Sequence, residues 1–372
     1  MRIVRLWLRK FLIRCFGKFG EKIILPKVRY YYDRLPLLDY RTKRYAASEA
    51  RIIRSEVANP TTKYTIVYDC KVTGLAYGSL LNFLAIARYV IAYDKCVEFI
   101  LVNAGHPLDD GTRESEEIEF LIADFTYIAK SLLNSELSEV ILMQPEDLLE
   151  HLDGRRKKTI LFEEFTRNRR PFFRDVYNVF NCLMTEIDDY RRKQVLFSSN
   201  EFKDYYPTAF CPGPYISWHC RYSLRGVDFG RQTLEDEFVA SYEYLKFRFP
   251  DHQIIIVSDS LGCDHYSALA VKLQITDLHF SKDYSRTFLG DAALIMASDF
   301  FYWFRGGGIG NIALLSNMPY EMLGPLMNEI MLEDNMISAW QEKWQKFVVL
   351  EKHQFVSNRR KDIARIGESQ LT

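Results

Sequence analysis

Strand-like apolar runs alternating with helical stretches predict an α/β fold. The expected architecture is two Rossmann-like domains facing a cleft, preceded by a basic amphipathic helix. Three observations carry this. Short β-rich runs, among them 65–68, 97–102, 215–218 and 253–257, are each followed by a stretch with helical periodicity. A Pro-containing segment, residues 198–214, separates one such series from the next. The polar and basic residues that stand out fall just past the strand runs, where parallel sheets hold their ligands.

The elements follow in order. Residues 1–22 carry Arg2, Arg5, Arg9, Lys10, Arg14, Lys18 and Lys22 against Glu21 alone. Val4, Trp7, Leu8, Phe11 and Leu12 share one helical face by i, i+3, i+4 spacing. No apolar run there exceeds three residues, too short to span a bilayer or to make a signal-peptide core. Cationic side chains with Trp and Phe suit an interfacial helix on an anionic membrane surface; an amphipathic helix docked on the protein's own core has the same pattern. A basic, Tyr-rich connector follows, with a helix expected over 46–57. Helices are then expected over 79–92, 116–133 and 174–197, with strands at 97–102, 139–143 and 159–162. The second series has strands at 215–218, 253–257, 276–280 and 300–303, and helices over 233–249, 264–273, 287–297 and 310–315. The resulting division is residues 1–62 as membrane-associating segment and connector, 63–205 and 206–330 as the two Rossmann-like domains, and 331–372 as a helix and tail.

Composition narrows the function classes. Lys plus Arg and Asp plus Glu both number 49, so a globally basic nucleic-acid binder is disfavoured and no nucleic-acid partner is expected. Seven cysteines without a Cys-x-x-Cys pair argue against a zinc site and for reduced thiols. There is no Asp-x-Asp triplet, no GxSxG, no GxxxxGK[ST] and no HExxH, so neither a metal site nor a resident cofactor is expected.

Four segments carry candidate chemistry. His219-x-Arg221, with Arg225 beyond it, follows a buried strand run. Arginines there can grip a diphosphate and stabilise it as a leaving group; a surface loop paired to Asp228 or Glu235 is the alternative. Ser258 and Asp259 end the next strand run, able to bond a ribose or simply to cap a helix. Asp291 stands in the first turn of a later helix, as a ribose acceptor or as a favourable charge at a helix N-terminus. Ser298 precedes an aromatic strand. Arg305, Gly306, Gly307, Gly308 and Asn311 form a glycine-rich turn leading into a helix, a shape that admits close backbone approach by an anion. In the first half, Gly74, Tyr77, Gly78 and Asn82 follow the first strand. Asp69, at that strand's end, is a candidate base for an acceptor hydroxyl, or a structural loop residue.

His219-x-Arg221, the Ser258-Asp259 strand end, Asp291 with Met296-Ala297-Ser298-Asp299, and the glycine-rich turn resemble the C-terminal domain of fucosyltransferase-like GT-B glycosyltransferases. The Gly74-to-Asn82 loop is similar to their first loop. The resemblance runs as short motifs in order over residues 64–325. It implies inverting, metal-independent transfer of a sugar, fucose among the candidates, from a nucleotide-sugar donor, GDP-linked by preference. The acceptor would be a glycan or lipid-linked sugar in surface polysaccharide synthesis. The first domain would hold the acceptor and the second the donor, with Arg221 on the diphosphate, His219 shaping that pocket, and Asp291 and Ser298 touching nucleoside or phosphate. The enzyme would work in the cytoplasm, peripheral on the inner face of the cell membrane. This chain departs from the family pattern in its late second arginine and in Gly306-Gly307-Gly308 where the family has a Ser-rich turn. Two other readings are a polysaccharide pyruvyltransferase-like enzyme and a non-catalytic membrane-docked binding protein.

Overall fold

The computed structural model describes residues 36–60, 63–103, 115–153, 159–162, 173–210, 212–222, 233, 235–304, 308–324 and 355–357. The basic segment 1–22 and the Trp-containing stretch around 340 lie outside these residues, as do Arg225, Arg305, Gly306 and Gly307.

The chain builds two wholly parallel sheets. The first half opens with α1 (Pro36–Ala58), then β1 (Lys63–Asp69), the single turn α2 (Cys70–Thr73), α3 (Tyr77–Ile91) and β2 (Cys96–Val102). It continues with α4 (Ser115–Leu132), β3 (Ser138–Met143), α5 (Pro145–Leu152), β4 (Thr159–Phe162), α6 (Phe173–Met184) and α7 (Asp189–Val195). Its strand order is β3-β2-β1-β4. The second half holds β5 (Tyr215–His219), α8 (Glu235–Arg248), β6 (Gln253–Val257), α9 (Ser260–Lys272) and β7 (Leu278–Phe280). It ends with α10 (Phe288–Met296), β8 (Phe300–Phe304), α11 (Gly310–Leu314), β9 (Tyr320–Gly324) and β10 (Phe355–Ser357). Its order is β10-β9-β8-β5-β6-β7. In both halves the first strand is central, the next two lie on one side, and the fourth returns to the other. Each half is thus a Rossmann-like unit with its own switch point, between β1 and β4 and between β5 and β8.

Period-two alternation assigns the strand faces. Tyr64, Ile66 and Tyr68 of β1 enter the same core as Ile255 and Val257 of β6 and Phe301 and Trp303 of β8. Ile216, Trp218, Ile254, Ile256 and Tyr302 face a second core behind the C-terminal sheet, and Val67, Ile100 and Val102 a small third one. The inner faces of both sheets, with α3, α6, α10 and α11, therefore share one continuous apolar core. The two units are joined by burial, not merely tethered.

The expected elements are present, with physically instructive shifts. The helix expected over 174–197 is two helices, because Asp188 adopts an extended backbone and caps α7 by accepting from the Arg191 amide. The helix expected over 46–57 begins already at Pro36. The linker contains a short 3₁₀ helix, Ser199–Tyr205, in which Glu201 accepts from the Ser198 amide at 2.7 Å. α5, β9 and β10 were not anticipated, and β10 lies in the region assigned to a helix and tail. The five cysteines among the described residues are free thiols.

Arg88 of α3 clamps the turn that leads to the second half. It donates to the carbonyls of Val195 (2.8 Å), Gln194 (2.9 Å) and Leu196 (3.0 Å), and pairs with Glu201. Arg88→Met leaves those carbonyls without this donor and Glu201 without its cationic partner. It should lower unfolding stability by about 3 kcal/mol, read as a lower urea midpoint at unchanged slope.

Candidate functional site

The carboxyl ends of β5, β6 and β7 lie side by side, so residues distant in sequence meet there. Ser258, just past β6, donates to the Cys220 carbonyl at 2.8 Å and ties that strand end to the end of β5. Both backbone groups of Arg221 are anchored. Its amide donates to Thr233 Oγ1, and its carbonyl accepts from the Thr233 amide (3.0 Å) and the Tyr266 hydroxyl (2.7 Å). The half-buried Arg221 side chain therefore leaves a fixed backbone, and it pays less ordering entropy when it grips a ligand. His219 is buried on the face that looks toward the first half, and its Nδ1 meets the Val257 carbonyl at 2.8 Å. A carbonyl can only accept, so Nδ1 is the protonated nitrogen in that contact. Next to Arg221 in the chain, Tyr222 stacks on His265 with centroids 3.8 Å apart.

One residue at this edge carried no expectation. Lys282, just past β7, donates to Asp291 Oδ2 at 2.5 Å. Asp291 sits in the first turn of α10, whose N-cap is Thr287. Its carboxylate is buried, and among the described residues Oδ1 has no hydrogen-bond partner. Burial pushes the Asp291 carboxyl up to about 6, and the nearby Asp259 adds to the shift, while Lys282 and Ser281 oppose it. A buried ion pair with one unsatisfied acceptor therefore lies at the strand-end edge of the second unit.

The first half contributes a second carboxylate. Asp124 of α4 accepts from the Tyr77 hydroxyl at 2.7 Å, and the Tyr77 ring stacks on Phe288 of α10 at 4.4 Å, tilted by 5°. Burial raises the Asp124 carboxyl, against the Tyr77 hydrogen bond and the field of Lys282. Tyr77 thus links α4 of one unit to α10 of the other.

Other expected site residues are placed differently. Asp259 is exposed and caps α9, accepting from the Gly262 amide at 2.7 Å. Ser298 lies at the opposite, amino-terminal edge of the sheet. It is bonded to Ser217 Oγ (2.8 Å) and donates to the Ile295 and Phe300 carbonyls, so it is not brought to the crevice. Asp69 is buried and accepts from the Lys71 amide, closing the turn after β1. Gly74 takes φ +88° and ends α2, a conformation that favours glycine. Asn82, one turn into α3, is fully buried, and among the described residues neither amide atom has a partner.

The glycine-rich turn and the first-half loop meet each other. A Cβ on Gly308 would lie 2.5 Å from Tyr77 Cβ and 2.6 Å from the Gly78 nitrogen, and the Asn311 side-chain amide donates to the Gly78 carbonyl at 3.0 Å. Gly310 lies flat against the Trp303 ring, with a built Cβ 1.9 Å from a ring carbon. At Gly308 and Asn311, this turn is therefore a packing surface between the two units, while Gly310 packs within the second unit.

A signal for Lys282 was present in the sequence, since it follows a strand run just as Arg221 and Asp259 do. Asp124 had none: it sits on the polar side of an ordinary amphipathic helix. Among the described residues, no three His, Cys, Asp or Glu side chains converge as a metal cluster, and no helix is long and apolar enough to cross a membrane.

No family model and no curated protein matches the sequence. Two solved structures are similar in outline. One is the E. coli heptosyltransferase WaaC with ADP (TM-score 0.42, 9% identity, 77% of this chain and 99% of that one). The other is the E. coli ADP-heptose LPS heptosyltransferase II (TM-score 0.40, 10% identity, 84% of this chain and 100% of that one). The chain itself defines the class: two Rossmann-like α/β units with parallel sheets, packed through one shared core.

Two outcomes follow from this geometry. Gly308→Ala pushes a methyl into the Gly78 backbone, which cannot swing aside. It should cost about 1–3 kcal/mol and be visible as a lower unfolding midpoint. Asp291 supplies a pH signature. Its folded pKa lies above the unfolded carboxylate value, so the folded chain holds a proton that the unfolded chain has released. Its contribution to stability is full below about pH 4 and is lost as the pH rises through about 6. Chemical denaturation of the wild type and of Asp291→Asn/Lys282→Met at several pH values should show that decline in the wild type only.

Proposed function

We propose that this chain is an inverting, metal-independent glycosyltransferase that moves a sugar from a nucleotide-sugar donor to a glycan or lipid-linked acceptor in surface polysaccharide synthesis. The supporting observation is the strand-end crevice of the second unit. His219, Arg221, Ser258, Lys282 and Asp291 gather there from three adjacent parallel strands and the helix that follows, beside the switch point of a Rossmann-like sheet. Cationic groups at such an edge suit a diphosphate, and a buried carboxylate with a spare acceptor suits a ribose hydroxyl.

Arg221, with Arg225 and the Arg305–Gly307 turn, would hold the donor diphosphate and stabilise the negative charge that develops on it as the sugar leaves. His219, through Nε2, would shape the pocket, and Ser258 would hold the ends of β5 and β6 together beneath the nucleotide. Asp291, kept in place by Lys282, would accept from the ribose. The motif resemblance favours a GDP-linked donor, with fucose among the candidate sugars. Residues 1–22 would hold the enzyme on an anionic inner membrane surface, bringing it to a lipid-linked acceptor.

The purified chain should be tested by thermal shift against GDP, ADP, UDP, CMP, dTDP and phosphoenolpyruvate, with and without EDTA. A ligand specific for the folded state adds about 2.7 kcal/mol at a hundred times its dissociation constant. One nucleoside diphosphate should raise the midpoint whether or not EDTA is present, and Arg221→Ala should remove most of that rise. A response to phosphoenolpyruvate alone, or to none of these, would overturn the reading.

A further inference from the structure

We infer that the outward face of α4 is the acceptor-sugar subsite, with Asp124 the base that takes the acceptor hydroxyl proton; this rests on the glycosyltransferase reading above. Helical spacing sets Phe120, Asp124, Tyr127 and Ser131 on one stripe of α4, while Ile118, Ile122, Phe125 and Ala129 point into the core. Phe120 is 65% exposed and Tyr127 51% exposed, a high value for large aromatic side chains on a helix that already has a complete apolar inner face. Two flat rings flanking a carboxylate match the chemistry of a sugar, whose C–H faces lie on aromatic rings while its hydroxyls seek an acceptor.

The stripe runs along the seam between the units. Tyr127 packs edge-on against Tyr205 in the 3₁₀ helix that leads to the second half, with centroids 6.3 Å apart. Asp124 is bonded to Tyr77, whose ring lies on Phe288, three residues before Asp291. The field of Lys282 reaches Asp124 from across the seam. Asp124 is thus a half-buried carboxylate of the first unit, tied through Tyr77 to α10 of the second and within the field of Lys282. Asp69, by contrast, is 4% exposed and committed to the Lys71 amide.

In the step this implies, the acceptor O–H gives its proton to Asp124. The oxygen electron pair forms the new bond to the anomeric carbon of the donor. The bond from that carbon to the diphosphate breaks, and its electron pair leaves on the diphosphate held by the second unit. Tyr77 is a positioning residue, holding one carboxylate oxygen so that the other faces the substrate.

The test uses the full chain with radiolabelled GDP-fucose, GDP-mannose, UDP-glucose and ADP-heptose on a glycan array, with nucleotide thermal shift run alongside. Asp124→Asn should keep the nucleotide shift and lose transfer by about a hundredfold or more. Phe120→Ala/Tyr127→Ala should raise the acceptor KM at least tenfold with kcat within a few-fold. Tyr77→Phe should keep the nucleotide shift and the acceptor KM while lowering kcat. Near-wild-type transfer by Asp124→Asn, or transfer that collapses in Asp69→Asn while persisting in Asp124→Asn, overturns this assignment and leaves the glycosyltransferase reading intact. A wild type that transfers none of the four sugars and responds to no nucleotide overturns both.

Discussion

The contact on which the rest depends is the meeting of the first turn of α3 with the turn after β8. Gly308 brings its backbone against Tyr77 and Gly78, and Asn311 closes the contact with a hydrogen bond to the Gly78 carbonyl. With that approach made, α3, α10 and α11 fall into one core with the inner faces of both sheets. Two units that could each have been a separate domain become one packed body. The chain spends glycine where most side chains would have held the halves apart.

That contact also decides which polar groups can act together. It sets Tyr77 on Phe288 and so places Asp124 within the field of Lys282. The strand ends of the second unit supply cationic and hydroxyl groups, and α4 of the first supplies a carboxylate and two exposed aromatic rings. Charge separation of this kind suits a reaction in which a diphosphate leaves on one side and a hydroxyl is deprotonated on the other. Burial works with it, since both Asp124 and Asp291 are raised by desolvation and held in check by neighbouring donors. The Lys282–Asp291 pair is not a stability device, because burying two charges costs much of what their attraction returns.

Much of the fold was legible because strand and helix periodicities are local. β1, β2, β5, β6 and β8 are nearly unbroken apolar runs, as expected for strands covered on both faces. What failed was also local, but depended on one residue each: Asp188 ends one helix and starts another, and Pro36 opens α1 ahead of the expected start at 46. The strand-end rule carried the site further than any motif did. It placed His219, Arg221 and Ser258 at neighbouring strand ends, where the structure has them, and the same rule applied to the end of β7 points to Lys282. The motifs did less well, since Asp259 caps a helix and Ser298 braces the far edge of the sheet.

By itself the sequence determined the fold class, the alternation of strands and helices through most of both halves, and which strand ends carry cationic and polar side chains, because each follows from residues close together in the chain. Only the tertiary structure decided that the glycine-rich turn packs on the first unit, that Lys282 pairs with Asp291, and that Asp124 looks across the seam. Those facts join residues 9 to 233 positions apart. No local pattern encodes such pairs; they arise when two sheets bury their inner faces against the same layer of helices.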